Sequence, residues 1–120
     1  MAKHIRTGNN GEHIAQQYLQ QHGYTLLGTN LRFGRGELDI VCTHQNILIF
    51  VEVKTRQTAL HGTPEDNVTP AKEQLLIRTA SMYLQSTGYE GEIRFDIISV
   101  TLQPTLQVLH FQDAFFPTWE

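Results

Sequence analysis

Two strongly β-forming, mostly apolar segments, Glu37–Cys42 and Ile47–Lys54, flank the short run His44-Gln45-Asn46. A connection this short can join two strands only as an antiparallel hairpin. With Gln45-Asn46 as a two-residue loop, Asp39 opposes Glu52 and Glu37 opposes Lys54. Opposed residues in a hairpin share a face, so this register gathers Glu37, Asp39, Glu52 and Lys54. A loop one residue longer or shorter would separate the two sets. The turn lacks the Asn-Gly or Asp-Gly pair that would fix its type.

A strand destined for a core has no structural need for these charges. A buried carboxylate costs several kcal/mol or more unless it is paired or bound to a metal. Asp39 and Glu52 side by side, with Lys54 beyond them, are the parts needed to hold a divalent cation and aim a water at a phosphate. Mg²⁺ keeps several waters of its own, so one or two carboxylates suffice. Asp39 and Glu52 would be those ligands, with the Val53 carbonyl as a third, and Mn²⁺ would serve in place of Mg²⁺. Lys54 would face the water or the scissile phosphate. The competing reading of Glu52 and Lys54 is an ion pair on a solvated edge strand.

The rest of the chain supplies a frame. Residues 9–22 fit an amphipathic helix, with Ile14, Ala15, Tyr18, Leu19 and His22 on one stripe. Asn9 is its expected N-cap, with Glu12 three residues on as a capping box, and Gly23 is its stop. Tyr24–Leu27 reads as a short extended segment, and Leu31–Arg35 as a connection carrying two arginines. A polar loop, 57–68, contains His61, Gly62 and Pro64. Thr69-Pro70 starts a second helix that runs to about Ser86 and ends at Gly88. Leu75, Leu76, Thr79, Ala80, Tyr83 and Leu84 are its expected buried residues. Strands follow at Ile93–Val100 and about Leu106–Phe111. The order predicts one α/β domain over residues 1–120, a sandwich with a mixed sheet and a helix on each side.

Composition excludes several classes. The apolar fraction of 40% and charged fraction of 18% suit a globular domain. No apolar run approaches the roughly 20 residues of a membrane span. The N-terminus lacks an apolar signal region, so the expected location is cytoplasmic. Cys42 is the only cysteine, and the six histidines show no metal-ligand spacing. Gly34-Arg35-Gly36 is too short for a Rossmann or P-loop glycine loop. Net charge is −3, but residues 1–56 hold six Lys/Arg against four Asp/Glu, whereas residues 57–120 hold three against eight. With a cation at the acids, the first half would be a positive surface.

A wider set of residues resembles the bacterial YraN family. It comprises Gly11-Glu12, Gly36-Glu37-Leu38-Asp39-Ile40, Phe50-Val51-Glu52-Val53-Lys54-Thr55-Arg56, Lys72 and Arg94-Phe95-Asp96, and the match extends from about Gly8 to Phe115. That family is similar to archaeal Holliday-junction resolvases, within the PD-(D/E)xK nucleases. The resemblance implies a restriction-endonuclease-like three-layer sandwich with a mixed central sheet flanked by helices. It also implies a Mg²⁺- or Mn²⁺-dependent endonuclease acting on nucleic acid, with DNA, and branched DNA in particular, as the expected substrate. Asp39 and Glu52 match the metal-binding acids, Lys54 the catalytic lysine, and Glu12 the acid of the first helix. Glu37 stands beyond a two-acid site, as a partner of Lys54 or a solvated strand residue. Arg32, Arg35, Arg56 and Lys72 are the candidate phosphate contacts. Gln74 sits near Lys72 without an assigned role, as does His61.

Two other classes compete. One is a nucleic-acid-binding module of the same fold without robust cleavage. The other is a structural partner whose apolar tail, Phe115, Phe116 and Trp119, docks on another subunit. A homodimer is compatible with either and with the nuclease.

Overall fold

The hairpin forms in the register that gathers the charges. The structure, a computed structural model, describes residues 3–58 and 69–116, with side chains from residue 10 onward. The elements are α1 (Lys3–Gln21), β1 (Thr25–Phe33), β2 (Gly36–His44), β3 (Ile47–Thr58), α2 (Pro70–Thr87), β4 (Ile93–Gln103) and β5 (Gln107–Phe111). His44 pairs with Ile47, and the ladder runs back to Ile40–Val51. Gln45 and Asn46 both have positive φ, 52° and 68°. That is the conformation a type I′ two-residue turn demands, and the strand twist imposes it without a glycine. Most of the expected loop, with His61, Gly62 and Pro64, and the tail residue Trp119 lie outside the described residues.

The five strands form one sheet in the order β1-β2-β3-β4-β5. Strand β3 is antiparallel to β2 and parallel to β4. A parallel return needs a crossover, and α2 lies within it. Both faces of the sheet are covered. Ala15 and Leu19 of α1 pack on Ile40, Ile49, Val51 and Ile98. On the other face Ile77 and Ala80 of α2 pack on Leu38, Val41, Phe50 and Phe95. The result is an α/β sandwich, helix on sheet on helix. Burying each large apolar side chain of these cores contributes about 1.5–3 kcal/mol. Two glycines permit the close approach. A Cβ at Gly11 would overlap the side chain of Thr55, and one at Gly36 would overlap Thr79.

Several sequence expectations need correction. Helix α1 begins at Lys3, so Asn9 lies inside it and not at its N-cap position. His22 is exposed, while Gly23, at φ 86°, ends the helix as expected. Strand β1 is longer than the segment Tyr24–Leu27, because Leu31–Phe33 continue it against β2 after a bulge between Leu26 and Gly28. In α2 the expected cap holds, with Thr69 Oγ1 accepting from the Lys72 N–H at 3.2 Å. Its buried face is shifted: Ile77 is buried and Leu75 is 40% exposed. Phe115 is buried in the α2-side core and stacks on Phe95, so it is not available to dock on another subunit.

Candidate functional site

The ladder between β2 and β3 ends one residue short of the two acids. Beyond Ile40–Val51 the strands part, and Asp39 Oδ2 accepts the Val53 N–H at 2.9 Å. A side chain thus replaces a ladder bond, and the Asp39 carboxyl is fixed by the backbone of the strand that carries Glu52 and Lys54. The inside–outside alternation of β2 also slips here. Leu38 belongs to the α2-side core but Ile40 to the α1-side core. Asn30, between the pairs Thr29–Ile40 and Leu31–Leu38, has φ 51°. Asn is among the few residues that enter the left-handed region readily. The β1–β2 ladder is thus interrupted at Asn30 and Asp39.

The electrostatics follow from this crowding. Burial, the adjacent Glu52 carboxyl and the more distant Glu12 push the proton affinity of Asp39 up to about 8, against the opposing pull of the Val53 N–H. Lys54 Nζ lies 3.1 Å from Glu52 Oε2, with both side chains mostly buried. Glu12 is held from the side by Asn30, whose Nδ2 donates to Glu12 Oε1 at 2.9 Å. That bond replaces the capping box expected from sequence.

Helix α2 closes the other side. Glu37, Asp39, Glu52 and Lys54 face Lys72, Leu75 and Leu76 across a cleft of about 300 Å³. Five of the charged residues singled out in the sequence thus meet in one place. Others do not join them. Arg32 and Arg35 are exposed at the β1–β2 turn, and Gln74 is exposed on α2 outside the cleft lining. Arg56 is half-buried further along β3 and does not line the cleft either. Val53 turns its side chain into the α1-side core and gives its N–H to Asp39. The sequence does not mark Asn30, Leu75 and Leu76 as site residues. Asn30 carried no motif, and the leucines looked like core residues of an amphipathic helix.

A second polar cluster lies on the α1 face. Asp96, wholly buried, takes Arg94 Nε at 2.8 Å and Nη2 at 2.9 Å, His110 Nε2 at 2.7 Å and the Asp113 N–H at 3.0 Å. Burial alone would raise its proton affinity, but these bonds hold it below the ordinary carboxylate value. Tyr24 accepts from Arg94 at 3.1 Å and stacks on His44. Every oxygen of Asp96 is satisfied, as a structural strut requires.

Fold and cleft together define an α/β sandwich protein with two adjoining carboxylates and a lysine set into the parting of two central strands. The profile of the uncharacterised protein family UPF0102, the YraN family, matches residues 11–100. A UPF0102 protein of Flavobacterium psychrophilum is 44% identical over 117 residues, covering 97% of this chain and 98% of its own length. One from Symbiobacterium thermophilum is 41% identical over 113 residues, 92% of this chain and 96% of its own. One from Christiangramia forsetii is 38% identical over 117 residues, 97% and 98% respectively. The chain belongs to the UPF0102 family, as its resemblance to YraN proteins implied.

Proposed function

We propose that this protein is a divalent-metal-dependent nuclease that hydrolyses phosphodiesters in the cleft between β3 and α2. The observation that carries the reading is the Asp39–Glu52 pair. Two carboxyls crowded in a mostly buried position need either a proton or a cation between them. Burial and the adjacent Glu52 carboxyl raise the proton affinity of Asp39 to about 8, in line with that need. Among the described residues no group of three or more His, Cys, Asp or Glu side chains is placed to hold a metal ion. Asp39 and Glu52 would be the protein ligands, with the Val53 carbonyl beside them and water completing the shell, which suits Mg²⁺ or Mn²⁺. A cation held there supplies positive charge against a phosphoryl oxygen and acidifies a neighbouring water.

The chain's own residues do the rest. The Val53 N–H fixes the rotamer of Asp39, so the ligand is oriented before anything binds. Lys54, steadied by Glu52, presents an ammonium to a non-bridging phosphate oxygen, where charge grows in the transition state. Glu12, anchored by Asn30, adds negative charge near Asp39 and strengthens its demand for a cation. Leu75 and Leu76 give the α2 wall of the cleft an apolar surface beside Lys72. Arg32, Arg35 and Arg56 lie outside the cleft and are proposed to hold flanking phosphates.

The test is a cleavage screen over branched and linear DNA and RNA with Mg²⁺ or Mn²⁺, run beside Asp39→Asn and Lys54→Ala. Cutting by the parent alone supports the reading. Binding by all three without cutting would favour a nucleic-acid-binding module of the same fold.

A further inference from the structure

We infer that the cleft takes an unpaired nucleotide, with its phosphate at Lys54 and its base lying on Leu75. This rests on the nuclease reading and names the substrate class of the same site. An exposed leucine is ordinary by itself. Leu75 is not placed as an ordinary one. It is 40% exposed, although both its neighbour Leu76 and Ile77 pack into the α2-side core, and it turns toward Asp39 and Glu52 across the cleft.

The shape and chemistry of the cleft select the occupant. Its volume of about 300 Å³ is at the lower bound of small-molecule pockets and matches one nucleotide-sized group. The Lys54 and Glu52 side chains at its back are only 16% and 17% exposed, so a phosphate must enter the recess to reach them. In a duplex the base beside that phosphate is paired and stacked inward, and Leu75 would meet only sugar and water. A nucleotide freed from its stack can turn its base face onto an apolar side chain, as enzymes that act on extruded or single-stranded bases require. The β-strand wall of the cleft is charged and the α2 wall sets Leu75 and Leu76 beside Lys72, so the cleft offers both apolar and charged surface, as an unpaired nucleotide does with its base and phosphate. Strand ends, flaps, junction centres and single strands of DNA or RNA all supply such a nucleotide.

The experiment measures fluorescence anisotropy of labelled oligonucleotides in Ca²⁺, whose looser coordination favours binding over cutting. Single-stranded DNA, single-stranded RNA and a duplex of the same sequence form the three arms, and 2-aminopurine placed along the strand reports the seated base. The parent should bind one or both single strands at least about tenfold tighter than the duplex. Leu75→Ala should weaken single-strand binding about five- to tenfold with an unchanged melting temperature, and Leu75→Tyr should restore or tighten it. Equal binding of single strand and duplex, or equal single-strand binding by parent and Leu75→Ala, overturns this inference and leaves the nuclease reading standing. Failure of the parent to bind any of the three overturns this inference, while the nuclease reading is decided separately by the cleavage screen over branched and linear substrates.

Discussion

Lys54 is the residue whose role can be separated from that of its neighbours. It touches Glu52 at 3.1 Å but is proposed to act on the phosphate, not the cation. Lys54→Ala should therefore abolish cleavage while Mn²⁺ affinity, followed by calorimetry, stays level or rises, since the competing positive charge is gone. A group that acts mainly in the transition state lowers turnover without weakening ground-state binding. Parental turnover by Lys54→Ala would remove the mechanism. At this scale the sequence was most legible where the residue type contradicts its surroundings: Asp39, Glu52 and Lys54 are charges in apolar strands. It was least legible where the residue type is unremarkable. Asn30 acts through one left-handed φ and a bond to Glu12, and neither leaves a mark in the sequence. Helical spacing marks Leu75 as apolar, but not that it lines the cleft and not the core.

The elements that position the cleft depend on contacts too close for side chains. Gly36 begins β2 and leads directly to Glu37, and a Cβ there would overlap the hydroxyl of Thr79 on α2. Gly36→Ala should destabilise the fold by about 1–3 kcal/mol, as overpacking does. The double variant with Thr79→Ala should recover a large part of the loss, because the overlapping atoms are removed. Additive losses in denaturant melts would mean that α2 and β2 do not meet as described. The hairpin loop offers a test of the opposite sign. Gln45 and Asn46 hold positive φ, so the pair Gln45→Asn and Asn46→Gly should stabilise by about 0.5–1 kcal/mol without changing the register. Destabilisation by this pair would show a different turn. The register was legible because a two-residue connection allows few choices and one of them unites the charges. The length of β1 was not, since its bulge at Leu26–Gly28 breaks the alternation by which a strand is recognised.

Across the whole molecule two carboxyls, Asp96 wholly buried and Asp39 partly so, pull the pH dependence of stability in opposite directions. Asp96 has its proton affinity lowered by Arg94, His110 and the Asp113 N–H, against the upward push of burial. Its contribution is present above the ordinary carboxylate value of about 4 and is lost as pH falls through its folded value. Asp39 has its affinity raised from 3.8 to about 8. Its contribution is present below the ordinary value and is lost as pH rises toward 8, because folding then requires a proton that the unfolded chain has released. Between pH 5 and pH 8 the metal-free protein should therefore lose stability with rising pH, by up to about 1.4 kcal/mol per pH unit for the one proton held by Asp39. Asp39→Asn keeps an acceptor for the Val53 N–H and carries no charge, so it should flatten this slope and melt higher than the parent at pH 8. Mn²⁺ takes the place of the proton. Its stabilisation of the parent should grow from pH 5 to pH 8, with proton release in calorimetry near pH 7, and should be largely absent in Asp39→Asn. Thermal melts at three pH values, with and without Mn²⁺, on both proteins contain the whole comparison. A parent whose metal-free stability is level or rises from pH 5 to pH 8 would show that Asp39 and Glu52 are not crowded in solution, and the cation site inferred from them would fall with that result.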